Sequence, residues 1–336
     1  MKKRLACLIL AIVMCMGIFS ACGNDSYVPE GHLRIRGRDI ATDWVVKVDG
    51  KEISADEYRY FFMNIAYTYT YDTEGDYSWT NEENEAVMSS TLEYIVLNKA
   101  LFDLAEGYGI TVEENDIADI EKTIADMRAQ YGTEEEYLEV LASNYITPEY
   151  YYELLKSTVV QEKLSILLTE NGGVFDYSED ETIAAVCEDY VCVRYIRLDF
   201  DEEGSSEKKD AIAEYASQIK NKDDLITYIN IYSDDVTMKN NPDGVYLTVG
   251  QGEDTLYNAV LELEIGEISP VIQGDMGYYI AIRQPMDIDY ITEHVDTFIT
   301  AYQERAIGEL LNEERADSVI EYNSKIYDKI SVKTME

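Results

Sequence analysis

The sequence predicts an α+β protein in which a small antiparallel-sheet domain is inserted into a helical one. Three observations carry this. Apolar residues recur at helical spacing from about residue 54 to 187. The period then switches to strand-like alternation at Val191-Cys192-Val193-Arg194-Tyr195-Ile196-Arg197-Leu198. Helical spacing returns from about Tyr290, so the last helices are expected to complete the helical body.

The chain opens with Lys2, Lys3 and Arg4, then a run from Leu5 to Phe19 that is almost wholly apolar. This is the layout of a secretory signal peptide, and the run is short of the ~20 residues that span a bilayer as a helix. The ending Ser20-Ala21-Cys22 resembles a bacterial lipoprotein cleavage box, with Phe19 where Leu is usual. That resemblance implies cleavage before Cys22 and lipid attached to it. An uncleaved N-terminal anchor is the other reading; both place the body outside the cytoplasmic membrane. Residues 1–21 are thus read as signal peptide. Residues 22–43, with Gly23, Pro29, Gly31 and Gly37 and mixed charge, are read as a tether.

The chain has 336 residues and a formal net charge of −40, which becomes −43 once the three cations of residues 1–21 are removed. Such a surface repels nucleic acid, whose binding rests on Lys and Arg at phosphates. It also disfavours flat docking on anionic lipid, so attachment falls to the lipid on Cys22. About 46% of residues are hydrophobic, enough for two domains with real cores. The 29 Tyr far outnumber the seven Phe. Of five Cys, Cys7 and Cys15 leave with the signal peptide and Cys22 carries lipid. Cys187 and Cys192 remain; an oxidising compartment permits their disulfide, whereas positions at a helix end and a strand start favour two free thiols. With only His32 and His294 beside them, no zinc signature exists, and no metal or cofactor is expected.

The body begins at Asp43, where a short apolar strand meets the turn Asp49-Gly50 and Ser54-Ala55-Asp56-Glu57 forms a capping box. A helix to about Tyr71 follows. It is crowded with Tyr58, Tyr60, Phe61, Phe62, Tyr67, Tyr69 and Tyr71, which either fill a core or face a client-binding cradle with helices 147–169 and 290–311. Helices from about Asn84 to Glu106, after Thr111, after Thr133, from Thr147-Pro148 to Thr169, and from Ser178 to Cys187 each carry a start signal. After the strand at Val191 come helices over 207–220 and 223–232, a strand at 245–249, a helix over 255–262, and strands near 268–272 and 277–283. From Tyr290 to Ile330 the chain is expected to be helical. The domains are therefore 44–183 completed by 287–336, and 184–286.

Within the second domain the runs Val193-Arg194-Tyr195-Ile196, Tyr232-Ser233-Asp234-Asp235, Leu263-Glu264-Ile265-Gly266-Glu267-Ile268-Ser269-Pro270-Val271 and Met276-Gly277-Tyr278-Tyr279-Ile280 resemble a parvulin-type peptidyl-prolyl isomerase domain. With the Val48-Asp49-Gly50-Lys51-Glu52-Ile53-Ser54 entry into a helix, the whole body resembles the lipoprotein foldases of the PrsA type, related to the chaperone SurA. The resemblance implies a SurA-like N-terminal helical domain and an FKBP-like βα3β3 sheet domain. It implies unfolded or partly folded exported polypeptides as partners, and rotation about X-Pro amides as the reaction. That rotation meets a barrier of ~18–20 kcal/mol and needs no nucleophile, metal or cofactor. It needs an apolar slot for the proline ring and polar groups that favour the twisted amide.

Parvulins usually place two histidines around a Cys or Asp. Carried over, these positions fall on Tyr195, Tyr279 and Asp235. A phenol donates and accepts like imidazole, but keeps its proton near neutrality. Core packing on the sheet face accounts for both tyrosines equally well. The proline slot carries over to Leu256 with Tyr257 beside it, and Leu247 and Met276 are further candidates. Tyr195, Asp235 and Tyr279 are expected to converge on a shallow groove floored by Leu256 or Tyr257. A non-catalytic chaperone with a degenerate parvulin domain is the alternative. A transporter's substrate-binding protein is disfavoured, because repeated β-α units are lacking.

Overall fold

The computed structural model describes residues 27–70, 77–170, 172–200, 205–250 and 252–336. The expected signal peptide, Cys22, the start of the expected tether and Tyr71 lie outside the described residues. The chain forms two compact units, one up to Asp176 together with Tyr302–Glu336, the other Tyr177–Ala301. The expected boundaries were 183/184 and 286/287; the units divide upstream of the first and downstream of the second.

The helical unit starts earlier than the sequence suggested. Strands β1 (His32–Ile35) and β2 (Arg38–Ala41) pair as an antiparallel hairpin inside the expected tether. Arg36 and Gly37 both take positive φ, 52° and 70°, as a two-residue turn of the hairpin hand requires. Leu33 and Ile35 alternate with polar neighbours and are buried, so this segment is core rather than spacer. Strands β3 (Val46–Val48) and β4 (Lys51–Ile53) turn at Asp49-Gly50, as expected. The far side of β3 is covered by a strand at Ile320–Tyr322, inside the region expected to be helical throughout. An open β3 would leave its amides and carbonyls unpaired, and the returning chain satisfies them. Asp49 fixes the register: its amide donates to the Val319 carbonyl (2.9 Å), and its Oδ1 accepts from the Val319 amide (2.8 Å).

Helix α1 (Ala55–Thr70) follows β4. Ser54 caps it by accepting from the Glu57 amide at 3.1 Å. Glu57 does not reach back as a full capping box requires; its carboxylate instead accepts from Asn98 at 3.4 Å. Tyr58, Tyr60, Phe61 and Phe62 are all buried: Tyr58 stacks on Phe62 and meets Tyr327 edge to face, and Tyr60 packs edge-on to Phe61 and tilted against Tyr150. These four therefore build core and form no exposed cradle. The hairpin, α2 (Asn81–Gly107) and α5 (Pro148–Thr169) leave little of α1 open. Between α2 and α5 come α3 (Glu114–Arg128) and α4 (Glu134–Ser143), the latter boxed by Thr133 and Glu136. A second cluster joins Leu101 and Leu104 to Val160, Leu164 and Leu168, and to Ile307 and Leu311 from the chain's return.

The sheet unit opens with α6 (Glu179–Asp189) and then β5 (Val191–Asp199). Three helices follow: α7 (Ser205–Gln218), α8 (Lys222–Tyr232) and α9 (Val236–Asn240). Strand β6 (Val245–Leu247), helix α10 (Asp254–Leu261), β7 (Ile272–Gln273) and β8 (Gly277–Gln284) complete an antiparallel sheet of order β6-β5-β8-β7. The helix expected over 255–262 is α10, between β6 and β7, and the short α9 is an addition to the two helices read between the first two strands. Strand β5 is buried on both faces rather than alternating, because it is central and covered on both sides. Gly277 is required where β8 begins, since a Cβ there would collide with the Leu198 carbonyl of β5. Cys192 is buried and Cys187 exposed, both as free thiols. Burial pushes the Cys192 thiol up to about 11. Helix α11 (Ile288–Glu293) and the start of α12 (Val295–Arg315) belong here, and the chain passes to the helical unit within α12.

Candidate functional site

Strands β5 and β8 place the two tyrosines on one face. In their register Tyr195 lies opposite Ala281, and Arg197 opposite Tyr279. Directly opposed residues share a face, as do residues two apart, so Tyr195, Arg197 and Tyr279 project together. The Tyr195 and Tyr279 rings meet edge to face, 5.4 Å between centroids. Asp235 arrives from the turn between α8 and α9. Its Oδ1 caps α9 by accepting from the Thr237 amide (2.7 Å), while its Oδ2 accepts from the Tyr195 hydroxyl (2.6 Å) and pairs with Arg197 Nη1 (3.3 Å). The turn is pinned to β5: the Asp234 amide donates to the Arg197 carbonyl (2.9 Å), and Ser233 Oγ accepts from the Arg197 amide (3.2 Å).

The electrostatics follow from burial. Burial pushes the Tyr195 phenol well above its usual range, and the neighbouring Asp235 carboxylate adds to the shift. For Asp235, burial alone would raise the carboxyl. The bonds from Tyr195 and Thr237 and the Arg197 charge outweigh it and hold the group below the ordinary carboxylate range. Tyr279 is raised by burial, then by Glu253. Glu253 enters from the loop before α10 and accepts from the Asp275 amide. Its Oε2 and the Tyr279 hydroxyl are both buried without a hydrogen-bond partner of ordinary geometry, and the nearness of this carboxylate still adds to the shift of the phenol. The resulting set is a neutral phenol bonded to an ionised carboxylate, a guanidinium, and a second phenol beside a second carboxylate.

The structure thus brings Tyr195, Asp235 and Tyr279 together, but as buried groups: they are 8%, 6% and 1% exposed, not the lining of an open groove. A phenol is larger than an imidazole and fills the sheet face. Leu256 is buried in the same core as the two tyrosines. Tyr257 packs on that core and donates its hydroxyl to the Asp189 carbonyl (3.1 Å). Leu247 sits partly buried opposite Val191 on β6. Met276 stands apart, 53% exposed on the turn between β7 and β8. Arg197 and Glu253 were not foreseen. Arg197 was findable, because it lies two residues beyond Tyr195 and so on the same strand face. Nothing local marks Glu253, whose role depends on a loop reaching Tyr279. Among the described residues no group of three or more His, Cys, Asp or Glu side chains is arranged to hold a metal ion.

Comparison with known proteins bears on this arrangement. Residues 1–165 match the family model of the SurA-like N-terminal domain, and residues 195–283 match that of the PPIC-type PPIASE domain. The chain therefore joins a SurA-like helical domain to a PPIC-type rotamase domain, and it is homologous to PrsA foldase proteins. The foldase protein PrsA of two Staphylococcus epidermidis strains is 26% identical over 211 residues, covering 61% of this chain and 61% of the relative. The match thus spans about 61% of the relatives' length. Among solved structures, the peptidylprolyl isomerase PrsA of Bacillus anthracis superposes with a TM-score of 0.36 at 17% identity, over 66% of this chain and 94% of that one. A structure reported for two SurA-like chaperones of Campylobacter jejuni, PEB4 and Cj1289, gives a TM-score of 0.30 at 14% identity, over 84% and 99%.

Proposed function

We propose that this chain is an extracytoplasmic folding factor, held to the membrane by lipid on Cys22, that binds unfolded exported polypeptides and carries a parvulin-like module with weak or no X-Pro isomerase turnover. The observation that carries the reading is the pairing of the two domain matches, the second running from Tyr195 to Arg283 and so enclosing the buried Tyr195–Asp235–Tyr279 cluster. Relatives named as foldases support the same reading. Client holding is assigned to the helical unit. There, a cavity of about 380 Å³ opens between α3, α4 and α5, with Met127, Tyr131, Leu141, Ile146 and Tyr151 on its apolar side and Asp126, Gln130 and Asn144 among its polar lining. Cavities with aromatic and methionine walls suit varied apolar segments.

Weak turnover follows from the site. The Tyr195 proton is committed to Asp235, and Tyr279 lies beneath the surface where an amide cannot reach it. Two missing hydrogen bonds at ~1–3 kcal/mol each cost on the order of 10²-fold or more in rate. The test pairs a proline-peptide isomerisation assay with suppression of aggregation, on one preparation of residues 23–336. Suppression with little turnover is expected. Turnover equal to an ordinary parvulin would make the tyrosines sufficient catalysts, and loss of both activities would remove the folding-factor reading. If Tyr279→His raises turnover and leaves suppression unchanged, the two activities reside in separate units.

A further inference from the structure

A second concavity in the sheet unit lies away from the tyrosine cluster. It measures about 460 Å³ and is lined by Lys220, Lys222 and Arg283 and, on its apolar side, by Ile268 and Pro285 over the buried Ile282. Ile282 is opposite Arg194 in the β5–β8 register, so it projects from the sheet face opposite to Tyr195 and Tyr279, while Arg283, opposite Val193, projects from the same face as they do at the far end of β8. In a chain with 67 acidic and 27 basic residues, three cations around one hollow stand out.

Their charges are not spent on carboxylates. Lys222 Nζ donates to the neutral Gln284 side chain (2.7 Å), and Arg283 Nη1 donates to the Leu261 and Leu263 carbonyls (both 2.8 Å). Among the described residues none of the three is in an ion pair, and the Lys220 ammonium has no hydrogen-bond partner. The nearby carboxylates are turned to their own backbone. Asp224 accepts from the Lys220 amide (2.9 Å) and from Asn221 Nδ2 (2.9 Å), and Glu267 accepts from the Glu264 amide (2.8 Å). Asp223 in the first turn of α8, Glu264 before Gly266 and Asp287 after Pro285 are further acidic residues close by in sequence.

We infer that this concavity binds extended peptide segments that alternate acidic and apolar residues, carboxylates against Lys220, Lys222 and Arg283 and an apolar side chain on Ile268 and Pro285. Charge complementarity selects the acidic partner, and the apolar floor selects a peptide over a bare anion, which would leave that floor wet. The acidity of the rest of the chain repels such a segment elsewhere, so one local site dominates its binding. This site is independent of isomerase turnover and of the helical unit's cavity.

The test is fluorescence anisotropy on the full chain, with a labelled hexapeptide alternating leucine and aspartate. Saturable binding is expected that weakens as salt rises. The double variant Lys220→Glu/Lys222→Glu changes two exposed side chains and should weaken it about tenfold, the scale of two exposed charge pairs. Ile268→Asp should weaken it as well, while Tyr195→Phe should leave it unchanged. Absence of saturable binding overturns the inference, as does equal binding by the lysine variant with unchanged circular dichroism. Equal binding of a serine–aspartate hexapeptide, or full displacement by low-millimolar orthophosphate, also overturns it, since the hollow would then be a small-anion site.

Discussion

At the residue scale, two carboxylates in different surroundings respond to pH with opposite sign. Asp235 is held below the ordinary carboxylate range by its bonds from Tyr195 and Thr237 and by Arg197. Its stabilisation is present above the unfolded value of ~3.9 and is lost as pH falls through the folded value. Tyr195→Phe removes one of those donors while keeping the ring, and should cost about 1–3 kcal/mol by denaturant titration at neutral pH. A smaller loss as pH falls below the ordinary carboxylate range, where the carboxyl takes a proton, is the accompanying signature. Glu57 is the reverse case. Burial pushes it up to about 7, with the nearby Glu153 charge adding to the shift and only a weak bond from Asn98 opposing it. The folded state binds this proton more tightly than the unfolded chain, so stability is unpenalised below about pH 4 and falls as pH rises toward 7. Glu57→Gln should therefore raise stability at pH 8 by on the order of 1–3 kcal/mol and change little at pH 4. A variant equally stabilised at both pH values would show that the carboxyl is not protonated by burial.

At the element scale, the helical unit depends on segments at both ends of the described chain. The β1–β2 hairpin places Leu33 in the same core as Tyr58 and Phe62. Leu33→Ala should cost about 2–5 kcal/mol in chemical denaturation, whereas a true tether residue would cost almost nothing. The strand at Ile320–Tyr322 and the short helix at Ser324–Tyr327 close the other side, with Tyr327 edge-on to Tyr58. Truncation after Arg315 should expose the β3 edge and uncover that ring, so the shortened chain should lose cooperative unfolding of the helical unit or aggregate. In the sheet unit the close approach of β8 to β5 makes Gly277→Ala costly, because the collision is with backbone and no flexible side chain can yield.

At the scale of the molecule, the N-terminal sequence carries the prediction about where the protein works. The cationic start, short apolar run and Ser20-Ala21-Cys22 box lead to an expected mature N-terminus at lipidated Cys22. Mass analysis of the membrane fraction checks it: a chain beginning at Met1, or one released without lipid, would overturn the expectation. Among the described residues no helix is long and apolar enough to cross a membrane.

The sequence by itself determined the switch from helical to strand period near Val191 and the start signals of most helices. These are local properties, set by side-chain period and by caps within one turn. Thr133, Thr147 and Ser178 each cap the helix expected of them for that reason. Only the tertiary structure decided the rest. The hairpin at 32–41 and the strand at 320–322 are too short to signal alone, and they become strands because distant partners need them. The aromatics of α1 turned inward because the hairpin and the C-terminal segment cover them. The tyrosine cluster was expected open and is buried, since burial is a sum over contacts from β5, β8, α10 and the 233–235 turn. Glu253 and the Lys220–Lys222–Arg283 hollow have the same origin: residues far apart in sequence acquire a shared field only once the sheet has brought them together.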